Sequence, residues 1–405
     1  MSKYRHNHYV PIWYQERFML PGQTRYWRLD LNPDVVWKQK KRNDLHEWSP
    51  KKVFAQDDLY TTRWGNLIIT DIERFFFGKL DNIAPEAVTF FSNFNFESCE
   101  ENYFDDFITY MSVQKLRTPK GLAAFAALAK SYNRNATLIL LQELRRLYCA
   151  TWTECVWQIA EATNSPTKFI ISDHPVTVYN RACPPLSKYC RFGGDPDIRL
   201  NATHTYFPLS LDKVLILTNL SWVRNPYQSE LNVRPNPKYL RDTMFNMTAI
   251  QTGRMLTEDE VLLINSITKR RAHRYIAAAE KEWLYPEKRA STDHWKKFGA
   301  GWLLMPEPRF VTMGGQIVVG FNGGGGASFS EYGHRPWQKG YKDKDREKKE
   351  WKTLERFQAE WAMKFGPKYV ANNTDLGRSR LQEDSDEMTE EYREIVRKHR
   401  TKREA

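Results

Sequence analysis

The chain contains no uninterrupted apolar run of the ~18 residues needed to cross a bilayer, and Met1 to His8 is polar, without a signal-peptide core. Neither a transmembrane segment nor a secretory leader is expected, and the cytoplasm is the default compartment. Cysteine is scarce. Cys99, Cys149, Cys155, Cys183 and Cys190 are odd in number and include no Cys-x-x-Cys pair, which speaks against a zinc ribbon and a disulfide framework. The run Gly323 to Gly326 is not followed by Gly-Lys-Ser/Thr, so it reads as a joint and not as a phosphate loop. There is no His-x-x-x-His spacing and no compact carboxylate cluster. No metal ligand is assigned on that basis, and a divalent metal stays a secondary option.

What is present is a chain of 405 residues with 41% hydrophobic and 14% aromatic content, including 14 Trp. That is enough apolar material for a large core, and single cores rarely grow past ~250–300 residues. The expected organisation is one α+β domain over residues 1–300, followed by a Gly-rich joint and a charged helical extension over 301–405. A formal charge of +12 favours acidic partners, nucleic acid first and an anionic membrane surface second, although a solvated basic surface also serves solubility. The C-terminal extension is an equally open site for a protein partner.

The stretch Lys168 to Asn180 is the centre of the pattern. Phe169, Ile170 and Ile171 suit a buried strand, and Pro175 biases His174 away from helix, so the backbone is expected to turn at Ser172 to His174. Ser172, Asp173 and His174 would then stand at a strand end, where ligands are commonly met; the alternative is an Asx-type turn with Asp173 bonding nearby amides. Pro11 starts a short helix bearing Tyr14 and Phe18, with His8 just outside it as a tether or a catalytic imidazole. Residues Arg25 to Leu31 alternate as a half-buried strand, and Lys38 to Arg42 is a basic loop. Helices are expected over about 71–94, with Ile72, Phe75 and Phe76 on its apolar face, then over 102–115 and 123–148.

Thr203 to Pro208 and Val214 to Thr218 read as strands that pair with Phe169 to Ile171, giving a small central sheet in a predominantly helical α+β fold. Thr257 and Glu260 have capping-box spacing for a helix running to about Glu282, and Asn265 inside it suggests a buried hydrogen-bonding duty. A helix over Tyr341 to Phe365 groups Trp351, Leu354, Phe357 and Trp361 on one side. Gln382 to Ala405 is a solvated helix or tail.

Five segments in order carry a resemblance: Asn7-His8-Tyr9-Val10-Pro11 with Phe18, Gln114-x-x-Arg117-Thr118-Pro119, Ile171-Ser172-Asp173-His174-Pro175, Phe207-Pro208-Leu209-Ser210, and Asn265 with Ala272 and Arg274. Together they resemble the bacterial family catalogued as domain of unknown function 4238, over roughly residues 5–280. The resemblance implies a common fold and no established activity. His174 stands where that pattern has Asn.

Two functional readings follow. In the first, His8, Asp173 and His174 are catalytic and Gln114, Arg117, Ser172 and Asn265 bind substrate, giving a phosphodiester hydrolase of nuclease type in a defence or toxin setting. In the second, the same residues are structural and the chain is a non-catalytic module that binds nucleic acid or protein. The first requires His8, Arg117 and Asp173 to line one accessible cleft; the second places them in separate hydrogen-bond networks.

Overall fold

The computed structural model describes residues 6–33, 44–60, 62–64, 67–69, 77–100, 102–128, 134–190, 193–235, 237, 245–311, 316–320, 324–330, 333–366 and 394. The basic loop at 38–42, the apolar face at 72–76 and the tail at 382–405, Glu394 apart, lie outside them.

The chain opens with β1 (His6–His8), α1 (Ile12–Glu16), β2 (Tyr26–Asp30), β3 (Leu45–Trp48), β4 (Ala55–Asp57), β5 (Thr62–Trp64) and β6 (Leu67–Ile69). Four helices follow: α2 (Gly78–Ser92), α3 (Tyr103–Leu116), α4 (Pro119–Leu128) and α5 (Arg134–Thr153). Next come β7 (Cys155–Glu161), β8 (Ile171–Ser172), β9 (Thr177–Asn180), β10 (Thr203–Pro208), β11 (Lys213–Asn219) and the short α6 (Leu220–Arg224). The remainder is β12 (Gln251–Met255), α7 (Glu258–Arg271), β13 (Tyr275–Ala278), β14 (Gln316–Gly320), β15 (Gly326–Ser330) and α8 (Lys344–Phe365).

The expectation of a predominantly helical fold around one small sheet is corrected by the strands. A five-stranded sheet runs β12-β7-β11-β10-β9 and a four-stranded sheet runs β3-β2-β13-β8, a mixed α+β architecture. The predicted pairing changes as well. Strands β10 and β11 pair with each other, Tyr206 opposite Ile216, whereas Ile171 of β8 lies opposite Ala277 in the other sheet. The physical reason is burial on both faces. Every residue of β10 and all but the first of β11 are buried, so the polar/apolar alternation that marks a half-exposed strand is absent. In β7 and β12 the buried Gln158, Gln251 and Arg254 break the apolar pattern further.

The main core lies between the five-stranded sheet and helices α2, α3 and α7, with rings from Tyr14, Phe91, Phe107, Trp157 and Phe207 in contact around it. Tyr14 stacks on Phe207 at 5.1 Å and donates its hydroxyl to Pro208 O, joining two of the recurring segments. The capping box at Thr257 and Glu260 forms, but α7 stops at Arg271 and not near Glu282. Asp173 supplies the cause. Its carboxylate accepts from the amides of His273, Arg274 and Tyr275, which are then held in position to enter β13.

Beyond residue 300, β14 and β15 pair antiparallel with Gly320 opposite Gly326, and Gly324 and Gly325 take the left-handed φ that glycine tolerates. Leu354, Phe357 and Trp361 of α8 are buried against Trp222, Val223 and Met305, and the Trp361 indole donates to Glu307. Trp351, expected on that side, is 58% exposed. None of the described helices is long and apolar enough to cross a membrane.

Candidate functional site

The predicted site residues separate into distinct networks. His8 is half-buried on β1, its Nε2 3.1 Å from Lys51 O. Gln114 donates Nε2 to Tyr9 O at 2.8 Å and accepts from Arg117 Nε and Nη2 at 2.9 and 2.7 Å. Arg117, wholly buried, also grips Asp81 at 2.9 Å. Burial alone would lower the guanidinium pKa; Asp81 beside it raises the value above the ordinary one. Asn265 acts as a peptide mimic, accepting from Ile170 N at 3.2 Å and donating to Lys168 O at 2.9 Å. It holds the segment that leads into β8.

Asp173 and His174 are neighbours with opposite surroundings. The chain bends after β8, and Ser172 Oγ accepts from His174 N at 3.1 Å. Asp173 turns to β13, where three backbone amides reach its carboxylate at 2.7 to 2.9 Å. Burial raises its pKa, and those amides, which favour the ionised form, oppose the shift. His174 turns the other way and meets only side chains. Its Nδ1 is 2.6 Å from Thr118 Oγ1, and its Nε2 lies 2.8 Å from Lys115 Nζ and 3.0 Å from Asp195 Oδ2.

Around His174 stands a cluster that the sequence did not reveal. Lys115 closes α3, Lys120 lies in the first turn of α4, Arg271 ends α7, and Asp195 comes from the loop between β9 and β10. Thr118 caps α4 by accepting from Gly121 N at 3.1 Å. Gly121 is required at this corner, because a Cβ there would fall 2.5 Å from Lys115 O and 2.7 Å from Leu116 O.

Asp195 is shared. Lys115 contacts its Oδ2, Lys120 reaches Oδ1 at 2.8 Å, and Arg271 stands at 4.0 Å. Burial pushes the Asp195 carboxyl up, but Lys115 and Lys120 together hold it well below the ordinary carboxylate range. Three cations thus face one carboxylate. Lys115 is lowered to about 8, chiefly by burial, with Asp195 opposing. His174 is lowered to about 3 by burial and by Lys115, so its imidazole is neutral at ordinary pH.

The two lysines differ in how their protons are used. Lys115 Nζ has three partners: Asp195, His174 Nε2 and Val176 O at 2.8 Å. Lys120 Nζ has two among the described residues, Asp195 Oδ1 and Arg271 O at 2.6 Å. An ammonium carries three N–H donors, so Lys120 has one left.

Lys115, Lys120, His174 and Asp195 form the floor of a cavity of about 550 Å³. Its walls are largely apolar, with Leu116, Phe125, Leu144, Leu147, Leu200 and Val233 among them; Lys188, Asp197 and Arg199 also line it, the last two paired with each other at 2.6 Å. His8, Gln114, Arg117, Ser172, Asp173 and Asn265 do not. Among the described residues, no group of three or more His, Cys, Asp or Glu is placed to hold a metal ion.

Residues 6–282 match the model of a family described as "Protein of unknown function (DUF4238)", which is more than half of the chain. No curated protein and no solved structure matches.

Proposed function

Because the chain belongs to the DUF4238 family, whose description carries no activity, we propose a function from the pocket itself: it binds a small molecule with an anionic head and an apolar body. The observation that carries this reading is a floor of two lysines around one carboxylate, with Arg271 behind that carboxylate, beneath largely apolar walls and with a spare N–H on Lys120. A buried excess of positive charge is relieved by an anion, and the volume is that of a drug-sized ligand site. The head is a carboxylate or a phosphate. The body lies along Leu116, Phe125 and Leu147.

The catalytic version of this reading uses the same floor. Lys115 Nζ, His174 Nε2 and Asp195 Oδ2 lie in mutual contact, so a proton can pass among three groups beside a bound head group, as general acid–base chemistry requires. Hydrolysis of a phosphate ester belongs to this version. Asp173 has no part in it, since its carboxylate is occupied by backbone amides.

A ligand panel tests the class: decanoate, decyl phosphate, decanol and decylamine, each titrated into the full chain. Both anions are expected to bind at least about tenfold more tightly than decanol, the scale of one charge-assisted hydrogen bond. Equal binding of decanol and decanoate, or preference for decylamine, would overturn the proposal.

A further inference from the structure

Of the 14 tryptophans in the chain, Trp337 is 78% and Trp351 58% exposed, the two most exposed Trp, Tyr or Phe rings among the described residues. Both lie beyond the family-matched region, on one short stretch. Lysine and arginine outnumber aspartate and glutamate eight to four between Arg335 and Lys352. The first half of this stretch is a fixed loop. His334 N donates to Ser330 Oγ, Arg335 N to Gln338 Oε1, and Tyr341 OH lies 2.8 Å from Ser328 Oγ. That loop walls an open groove lined by Pro336, Lys339 and Lys342, with Trp337 standing out beside it.

The second half is the start of α8. Lys344, Lys348, Trp351 and Lys352 are all exposed and are spaced by four, three and one residues, which places them on one helix face. The opposite side of the helix is buried through Leu354, Phe357 and Trp361. The exposed face therefore carries three lysines around one aromatic ring, with Asp345 exposed at its edge and Glu347 and Glu355, both half-buried, beside Trp351, and it follows directly on the groove.

We propose that this surface, Trp337 with Lys339 and Lys342 and then the Lys344, Lys348, Trp351, Lys352 stripe, binds single-stranded nucleic acid, with bases stacked on the two indoles and phosphates on the lysines. The chemistry selects this partner. Unpaired bases offer a face to an exposed indole irrespective of sequence, and a row of lysines follows a phosphate backbone. An anionic membrane needs a broad apolar helix face to bury, and the apolar face of α8 is already spent on the protein core. Duplex DNA offers the lysines its phosphates but keeps its bases stacked away from the indoles.

The test is fluorescence anisotropy of the full chain with labelled twenty-nucleotide oligo(U) and oligo(dT), a duplex of equal length, and phosphatidylserine vesicles as competitor. Trp337→Ala with Trp351→Ala is expected to weaken single-strand binding about tenfold or more. Lys348→Ala with Lys352→Ala should flatten the slope of log K against log salt by about 1.4, since each phosphate contact contributes about 0.7. All four positions are exposed, so circular dichroism should be unchanged. No binding to either single strand, binding indifferent to both double variants, or tighter binding to duplex or to vesicles would each overturn the proposal. Decanoate binding in the pocket should be unaffected by all four substitutions, which keeps this outcome separate from that of the pocket.

Discussion

Asp173 and His174 are adjacent in the chain and serve two different kinds of polar region. The Asp173 carboxylate meets backbone, three amides of the α7–β13 junction, and does not line the cavity. His174 meets side chains at the floor of a cavity. A carboxylate whose acceptor sites are taken by main chain fixes topology. It ends one helix and starts one strand. A histidine held between a lysine, an aspartate and a threonine, in a cluster with more cations than anions, leaves charge to be matched from outside. Burial alone does not distinguish the two, since both side chains are nearly fully buried. What they face does.

The largest effect should come from removing the structural member. In Asp173→Asn the new amide nitrogen must confront backbone donors, and the charge-assisted bonds are lost. We expect about 3 kcal/mol of destabilisation by urea unfolding. A loss under about 1 kcal/mol would show that the junction does not depend on this carboxylate.

Next is Gly121→Ala, which forces a Cβ against the Lys115 and Leu116 carbonyls. Overpacking of this kind costs about 1–3 kcal/mol, and it should also displace Lys115 and Lys120 and weaken decanoate binding. Lost stability with binding intact would separate the α3–α4 corner from the pocket floor.

A smaller effect appears in pH dependence. His174 has a folded pKa of about 3, below its ordinary 6.5, so its contribution to stability is complete above pH 6.5 and is lost as pH falls toward 3. His204, buried with a pKa of about 3, behaves alike. His174→Asn, which introduces the residue of the related pattern, should reduce the slope of unfolding free energy against pH in that window by up to one proton. His204 contributes part of the slope that remains, together with the shifted carboxylates. A slope identical to wild type would mean that His174 already titrates in the folded state. Lys115 works at the other end: its folded pKa of about 8 lies below 10.5, so stability should rise as pH climbs between those values.

The part of this comparison that the sequence made legible is the local part. Pro175 and the apolar residues before it mark the strand end at Ser172, the Asn265 side chain has its buried duty, and the Thr257 capping box starts α7 where expected. Each depends on neighbours a few residues away, or on one polar group misplaced in an apolar pattern. The pocket floor was not legible. Lys115 and Lys120 meet Asp195 across 80 and 75 residues, and no periodicity links them. Asp195 lies in a segment rich in Pro, Gly and Cys that reads as irregular loop. The available signal was the position of Lys115 and Lys120, which flank Arg117-Thr118-Pro119 in the recurring segment. The end of α7 was overrun for the same reason: the group that halts it, Asp173, is 100 residues away from His273.

The most direct measurement of the central claim is a calorimetric titration of decanoate into the wild type and into Lys120→Met, with decanol as the uncharged control. The account predicts that decanoate binding weakens by about tenfold to a hundredfold in the variant, the range of a hydrogen bond to a charged group, while decanol binding is unchanged. Equal decanoate affinity in the two proteins would contradict it, because the spare Lys120 proton would then hold no anion.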